Sequence, residues 1–255
     1  MDKIIMICGE GDSSNYLYNN IDQSFHISKV FIVGDDKKSE FLKKRIKRLG
    51  LLKVMGQILF IIYTKLFLRG SADQRIKEIN EEFGMNREDI PREKVKYIDS
   101  VNSVQMRQEI SKMKPDLVII NGTPIIKSHI LNAADCHFLN IHVGITPKYR
   151  GVHGGYWALY NGDTDLVGVT THFVDTGIDT GQVLDQSTVN ISEKDNFLTY
   201  PHLQTGAALM NHTNIIRSIL DGNIVYKTPL SYESRIWTHP TLLQYVFGRV
   251  FKKVK

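Results

Sequence analysis

The chain reads as an α/β protein built on a doubly wound, Rossmann-like, mainly parallel sheet. Five short apolar runs rich in β-branched residues, KIIMIC, KVFIVG, KVKYID, DLVIIN and FLNIHV, have the length of strands. Polar or helix-patterned stretches separate them, the arrangement of βαβ units. With 255 residues, 42% of them hydrophobic, the chain can bury a full core as one large domain with a small appendage.

The elements follow in order. The apolar run 4–8 is too short for the core of a secretory leader and passes straight into a Gly/Ser/Asn turn, so no signal peptide is expected. In that turn Gly9 and Gly11 permit a tight bend, and Ser13, Ser14 or Asn15 suits the cap of a helix over 15–22. Bare amides at a helix start attract phosphate, which makes Gly9, Gly11, Ser13 and Asn15 candidate phosphate or pyrophosphate ligands, with a plain strand-to-helix turn as the alternative. The spacing does not complete GxGxxG and no acid suitable as a ribose partner closes the second strand, which argues against a nicotinamide cofactor.

A basic and apolar helical insertion is expected over about 37–69. Eight basic residues (Lys37, Lys38, Lys43, Lys44, Arg45, Lys47, Arg48, Lys53) stand against one acid, Glu40, in a chain whose net charge is only +5. Aromatic residues are not interleaved with them, so a solvated helix face is expected rather than a nucleic-acid surface. The helix over 41–68 is expected to break near Gly50 or Gly56. Its segment 51–68, LLKVMGQILFIIYTKLFL, is apolar, but Lys53, Gln57 and Lys65 argue against a membrane-spanning helix. Packing within the molecule, a subunit contact or a weak membrane-surface association remain for it. Further helices are expected over 72–83, 103–112 and 197–221.

The segment FLNIHVGITPKYRGV reads as chemistry. Asn140 and His142 are two apart in a strand-like run, so both project from one face. An amide there can donate to an oxygen gaining charge, and an imidazole can carry a proton near neutral pH. Residues 168–191 read as two strands joined by a Gly/Asp/Thr loop, and Asp179 lies in that loop as a third partner. His153, His172, His202 and His239 have no such support and are read as structural, although His153 follows the Arg150 loop and is near enough to touch substrate. Asp163 and Asp165 are read as capping or turning the segment after Trp157. Cys8 and Cys136, the only cysteines, show neither disulfide nor zinc spacing, which suits a reducing cytoplasm.

The string NIHVGITPKYRG with the downstream DTGIDTG resembles the 10-formyltetrahydrofolate-dependent formyltransferase family, over roughly residues 1–190. The resemblance implies a formyltransferase catalytic domain over 1–190, with a C-terminal helix and extension over 191–255 that packs on it or forms a subunit contact. It implies catalysis by Asn140, His142 and Asp179 without a metal. It places the folate formyl donor along Asn121, Gly122, Thr123, Pro124 and Ile125 on one side and Val174, Asp175, Thr176 and Gly177 on the other. An ordinary turn is the competing reading of 121–124.

Within the family, YRG and the following Trp157 look most like members that formylate nucleotide-linked amino sugars for O-antigen assembly. Lys148, Tyr149, Arg150, His153 and Trp157 are then expected at the acceptor, with Lys148, Arg150 and the 9–15 loop at its pyrophosphate. A homodimer is the expected assembly. The tail after Asp221 is too short for the extra β-barrel expected of a tRNA-specific member. Glycinamide ribonucleotide and methionyl-tRNA remain as alternative acceptors, and a non-catalytic nucleotide-binding module as the alternative of another class.

Overall fold

The computed structural model describes residues 2–34 and 38–255, with side chains from 42 onward in the helix that starts at Lys38; Lys37 of the basic cluster lies outside the described residues. The chain forms β1 (Ile4–Cys8), α1 (Asp12–Asp22), β2 (Ile27–Val33), α2 (Lys38–Leu49), α3 (Leu51–Tyr63) and α4 (Arg69–Glu82). Next come β3 (Val95–Ile98), α5 (Val104–Met113), β4 (Leu117–Asn121), α6 (Ser128–Leu131) and β5 (His137–His142). Then follow β6 (Arg150–Gly151), α7 (Gly154–Asn161), β7 (Gly168–Phe173), β8 (Val183–Thr188), α8 (Tyr200–Leu220), β9 (Ile236–Trp237) and α9 (Leu242–Phe251).

The main sheet has seven strands in the order β3-β2-β1-β4-β5-β7-β8. It is parallel from β3 through β5, and β7 and β8 close it antiparallel. The expected doubly wound α/β architecture is therefore present. Its central strands are apolar on both faces because helices cover both faces. In β1, Ile4, Met6 and Cys8 join one core layer with Tyr16, Leu17, Leu203 and Ile216, whereas Ile5 and Ile7 join the other with Phe31, Met106 and Ile130. Burial pushes the thiols of Cys8 and Cys136 up to about 11, so both remain protonated and unreactive.

The insertion departs from expectation in one respect. The chain breaks at Gly50, whose φ of 83° lies in the left-handed region that a side chain disfavours. Beyond it no second break occurs. A π-helical turn, Thr64–Leu68, joins α3 to α4, and Gly70 stays helical, since an exposed glycine costs a helix only about 1 kcal/mol.

A third cluster of buried residues explains how this long helix is held. Phe60, Tyr149, Tyr156, Trp157, Tyr200 and Tyr245 join α3, α7, α8 and α9. The Phe60 ring lies 4.8 Å from Phe197 and 4.7 Å from Tyr245.

Candidate active site

The site lies beyond the carboxyl end of β5. This strand pairs antiparallel with β7 in a register that sets Asn140 opposite His172 and His142 opposite Thr170. Opposite residues in such a pair are near neighbours. The Asn140 side-chain amide therefore donates to His172 Nε2 at 3.2 Å. His172 Nδ1 lies 2.7 Å from the Phe173 carbonyl, so that nitrogen carries the proton and Nε2 accepts. Burial first, then the neighbouring His142, hold this imidazole below its ordinary range, in the neutral form that the two bonds require. His172 is thus part of the cluster, contrary to its reading as a structural residue.

His142 is oriented by the backbone. Its Nε2 donates to the Tyr149 carbonyl at 2.7 Å, which leaves Nδ1 as the nitrogen facing Asp179 Oδ2, 3.5 Å away. Asp179 comes from the loop after β7 and has a left-handed φ of 49°. Its Oδ2 accepts the Gly151 backbone N–H at 2.9 Å, and its Oδ1 lies 3.8 Å from His172 Nε2. One carboxylate thus reaches both imidazoles. Gly144 enables the His142–Tyr149 bond: a Cβ there would overlap the Tyr149 carbonyl oxygen and stand 2.7 Å from His142 Nε2.

Asn140, His142, His172 and Asp179 line a cavity of about 870 Å³. Its lining also includes Asn121, Gly122, Thr123, Pro124 and Ile125 from the end of β4 and the turn after it, and Val174, Gly177 and Ile178 from the loop after β7. Asn121 ties that turn to the start of α1, because its amide donates to the hydroxyls of Ser13 and Ser14 at 3.1 and 2.9 Å. Asp175 and Thr176, expected at the donor, are not in the wall. Instead Asp175 staples the loop by accepting from Gly177 N and Thr180 Oγ1 at 2.9 and 2.7 Å. Such a slot, mainly apolar with a few convergent polar groups at one end, is within the range of small-molecule sites, about 300–1,000 Å³. The residues present therefore fit a folate-sized donor. Among the described residues, no group of three or more His, Cys, Asp and Glu is placed to hold a metal.

Several acceptor-side expectations are corrected. Trp157 is buried and donates its indole N–H to Thr238 O at 2.9 Å, so it is a piece of the aromatic core. Tyr149 is buried too; its hydroxyl donates to Asp163 at 2.5 Å, which with burial drives its pKa upward. Lys148 is occupied by Asp163 at 2.8 Å and Glu233 at 3.2 Å; Asp163 holds the expected cap position, at the start of a short 3-10 turn over 164–166, and its side chain pairs with Lys148 instead of making a capping bond. The His153 ring packs against Phe197 and His239 at 4.5 and 4.6 Å, and burial pushes its pKa down to about 3. Gly9, Gly11 and Asn15 line a second cavity of about 820 Å³ in which the carboxylates Glu10, Asp12 and Asp89 outnumber the one guanidinium, Arg92, a poor setting for pyrophosphate. Ser13 alone of that loop's candidates lines the catalytic cavity. Arg150 donates from Nη1 to the Ile178 carbonyl at 3.2 Å and so braces the loop that carries Asp179.

Two cations absent from the expected acceptor set line the cavity, Arg45 and Arg48 of α2. Arg45 Nε donates to Gln57 Oε1 at 3.0 Å, and Gln57 in turn donates to His239 O at 2.5 Å. Burial and the adjacent Arg48 lower the Arg45 pKa. The eight-cation cluster marked this helix as basic, but no local signal told which arginines would turn inward.

The family model described as Formyl transferase matches residues 2–203, and the chain belongs to that family. The methionyl-tRNA formyltransferase of a Nitratiruptor species is 34% identical over 101 residues, 39% of this chain and 32% of the relative. The first curated relatives are matched over only 30 to 40% of their length. Among solved structures, glycinamide ribonucleotide transformylase 1 from Symbiobacterium toebii superposes with a TM-score of 0.57 at 18% identity, covering 93% of this chain and 95% of that one. WlaRD, a sugar 3N-formyl transferase crystallised in the presence of dTDP and 5-N-formyl-THF, gives 0.55 at 17% identity, covering 93% and 69%. At such identities the likeness is one of fold.

Proposed function

We propose that the protein transfers a formyl group from 10-formyltetrahydrofolate to the amine of a nucleotide-linked amino sugar. The observation that carries the reading is the convergence of Asn140, His142 and Asp179 on one cofactor-sized cavity, with His142 Nδ1 3.5 Å from Asp179 Oδ2. When bound, the folate supplies the formyl carbon already activated on a nitrogen leaving group.

The chain's own residues account for the rest. One N–H of the Asn140 amide is spent on His172 Nε2, and the other is left to donate to the formyl oxygen as charge builds on it. His142 Nε2 is committed to the Tyr149 carbonyl, so Nδ1 is the atom that takes and returns a proton. Asp179, anchored by Gly151 N–H, holds a negative charge beside that nitrogen and stabilises it when protonated. In balance, the acceptor nitrogen gains the formyl carbon, the bond from that carbon to the folate nitrogen breaks, and the amine's proton passes to the folate nitrogen.

The nucleotide-sugar acceptor is supported by the guanidinium groups of Arg45 and Arg48 on the cavity wall, since planar, permanently charged donors suit a pyrophosphate. The test incubates the purified protein with 10-formyltetrahydrofolate and, separately, a panel of aminosugar nucleotides, glycinamide ribonucleotide and methionyl-tRNA, and reads each acceptor by mass. Gain of one formyl group on an aminosugar nucleotide is the expected result. Formylation of methionyl-tRNA or glycinamide ribonucleotide alone would refute the sugar reading and keep the chemistry.

A further inference from the structure

The helix α3 is apolar on two opposite sides. One side is buried: Val54, Gln57, Phe60 and Thr64 pack against the body. The other carries a stripe of Leu52, Met55, Leu59, Ile62 and Leu66, exposed by 48% or more, with Leu52 at 84% and Leu66 at 70%. Spacings of three and four residues put these five on one face.

The neighbouring helix α9 repeats the pattern. Its Tyr245 lies 4.7 Å from Phe60 and 5.5 Å from Tyr63, which docks it on α3. Leu243, Val246, Phe247, Val250 and Phe251, again at helical spacing, face outward, with Leu243 81% and Phe251 72% exposed. Two adjacent helices thus leave ten large apolar side chains in water. Apolar exposure on this scale, on two helices packed side by side, marks a surface that meets something.

The charges around the stripes say what. Residues 51–72 contain three Lys or Arg and no Asp or Glu, and residues 234–255 contain five and none. Among them Lys65, Arg69, Arg249 and Lys253 are exposed on the segments that bear the stripes. Apolar side chains flanked mainly by cations, with Asp73 the acid at the far end of the stripe, match a bilayer with anionic headgroups, where the stripe enters the acyl boundary and the rim meets phosphate. A second copy of the chain matches poorly, because a two-fold contact would bring both sets of cations together.

A spanning role is ruled against by packing. The helix Leu51–Glu82 is long and apolar enough to cross a membrane, yet insertion would strip Phe60 from its aromatic cluster and break the Gln57 bonds to Arg45 and His239. The geometry points to docking flat. We infer that the α3–α9 face is a peripheral membrane-binding surface specific for anionic phospholipid.

Flotation of the full chain with vesicles tests it, using pure phosphatidylcholine and an equimolar phosphatidylcholine–phosphatidylglycerol mixture at low and high salt. The protein should float with the anionic vesicles at low salt, stay behind with neutral ones, and be largely released by high salt. Leu52→Glu/Leu59→Glu should abolish flotation. Lys65→Gln/Arg69→Gln should lower the partition coefficient roughly thirtyfold, two surface cations' worth. Circular dichroism and thermal melting establish that both variants are folded, which their exposed positions favour. No flotation of the wild type, or equal flotation with both vesicle types, would overturn the inference. So would a wild-type dimer in light scattering that Leu52→Glu/Leu59→Glu splits into monomers, since the face would then be a subunit contact.

Discussion

If the Asn140 amide is the donor that stabilises the formyl oxygen, its orientation depends on a residue that takes no part in proton transfer. Replacing His172 by phenylalanine keeps a ring in the buried site and removes the acceptor 3.2 Å from Asn140 Nδ2. A buried donor left unsatisfied costs about 1–3 kcal/mol. Loss of an oxyanion donor altogether costs about 10²–10³ in kcat. The variant should therefore lose roughly 10- to 100-fold in kcat, with KM for the acceptor nearly unchanged because ground-state contacts are untouched. His172→Gln, whose side-chain oxygen can occupy the position of Nε2, should recover most of the loss. Asn140→Ala combined with His172→Phe should be no slower than Asn140→Ala alone, since both remove one interaction. Steady-state kinetics on the four proteins, with the glutamine variant, decide the matter. Multiplicative losses in the double variant, or a fully active phenylalanine variant, would show that His172 does not act through Asn140.

Other outcomes can be stated more briefly. Gly144→Ala should cut kcat by tenfold or more in the same assay, because its Cβ would separate His142 Nε2 from the Tyr149 carbonyl. His212 is fully buried with no partner for either ring nitrogen, and burial pushes its pKa down to about 4. A group depressed in the folded state takes up its proton first in the unfolded chain, so stability falls as pH drops from about 6.5 towards 4, by about 3 kcal/mol from this residue. Urea unfolding of wild type and His212→Leu across that range should show a shallower acid slope in the variant. Phe60→Ala should cost about 3–5 kcal/mol in the same unfolding assay, as it leaves a cavity where α3 meets Tyr245 and Phe197.

Much of this architecture was legible along the chain. The runs over β1 and β4 are apolar without alternation, which signals a parallel sheet covered on both faces. Asn140 and His142 announced a common face by being two apart, and the loop after β7 was recognisable from its Gly, Asp and Thr content. What the chain did not reveal was the direction in which YRG and Trp157 would turn. Both were read as acceptor contacts, yet Tyr149 and Trp157 belong to the aromatic cluster under α3 and α9, and Lys148 is engaged by Asp163 and Glu233.

The amino-acid order by itself determined the seven strands of the main sheet, a helix break at one of two glycines and the spacing of Asn140 and His142, because each depends on neighbours a few bonds away. The β6–β9 pair and the choice of Gly50 over Gly56 were not legible in it. Tertiary structure alone decided that His172 would hold Asn140, that Asp179 would stand between two imidazoles, and that Arg45 and Arg48 would reach the cavity. The bond from Asn140 to His172 spans 32 residues of chain, and the approach of Asp179 to His142 spans 37. Local periodicity places a side chain on a face; only the packing of that face against the rest of the molecule selects its partner.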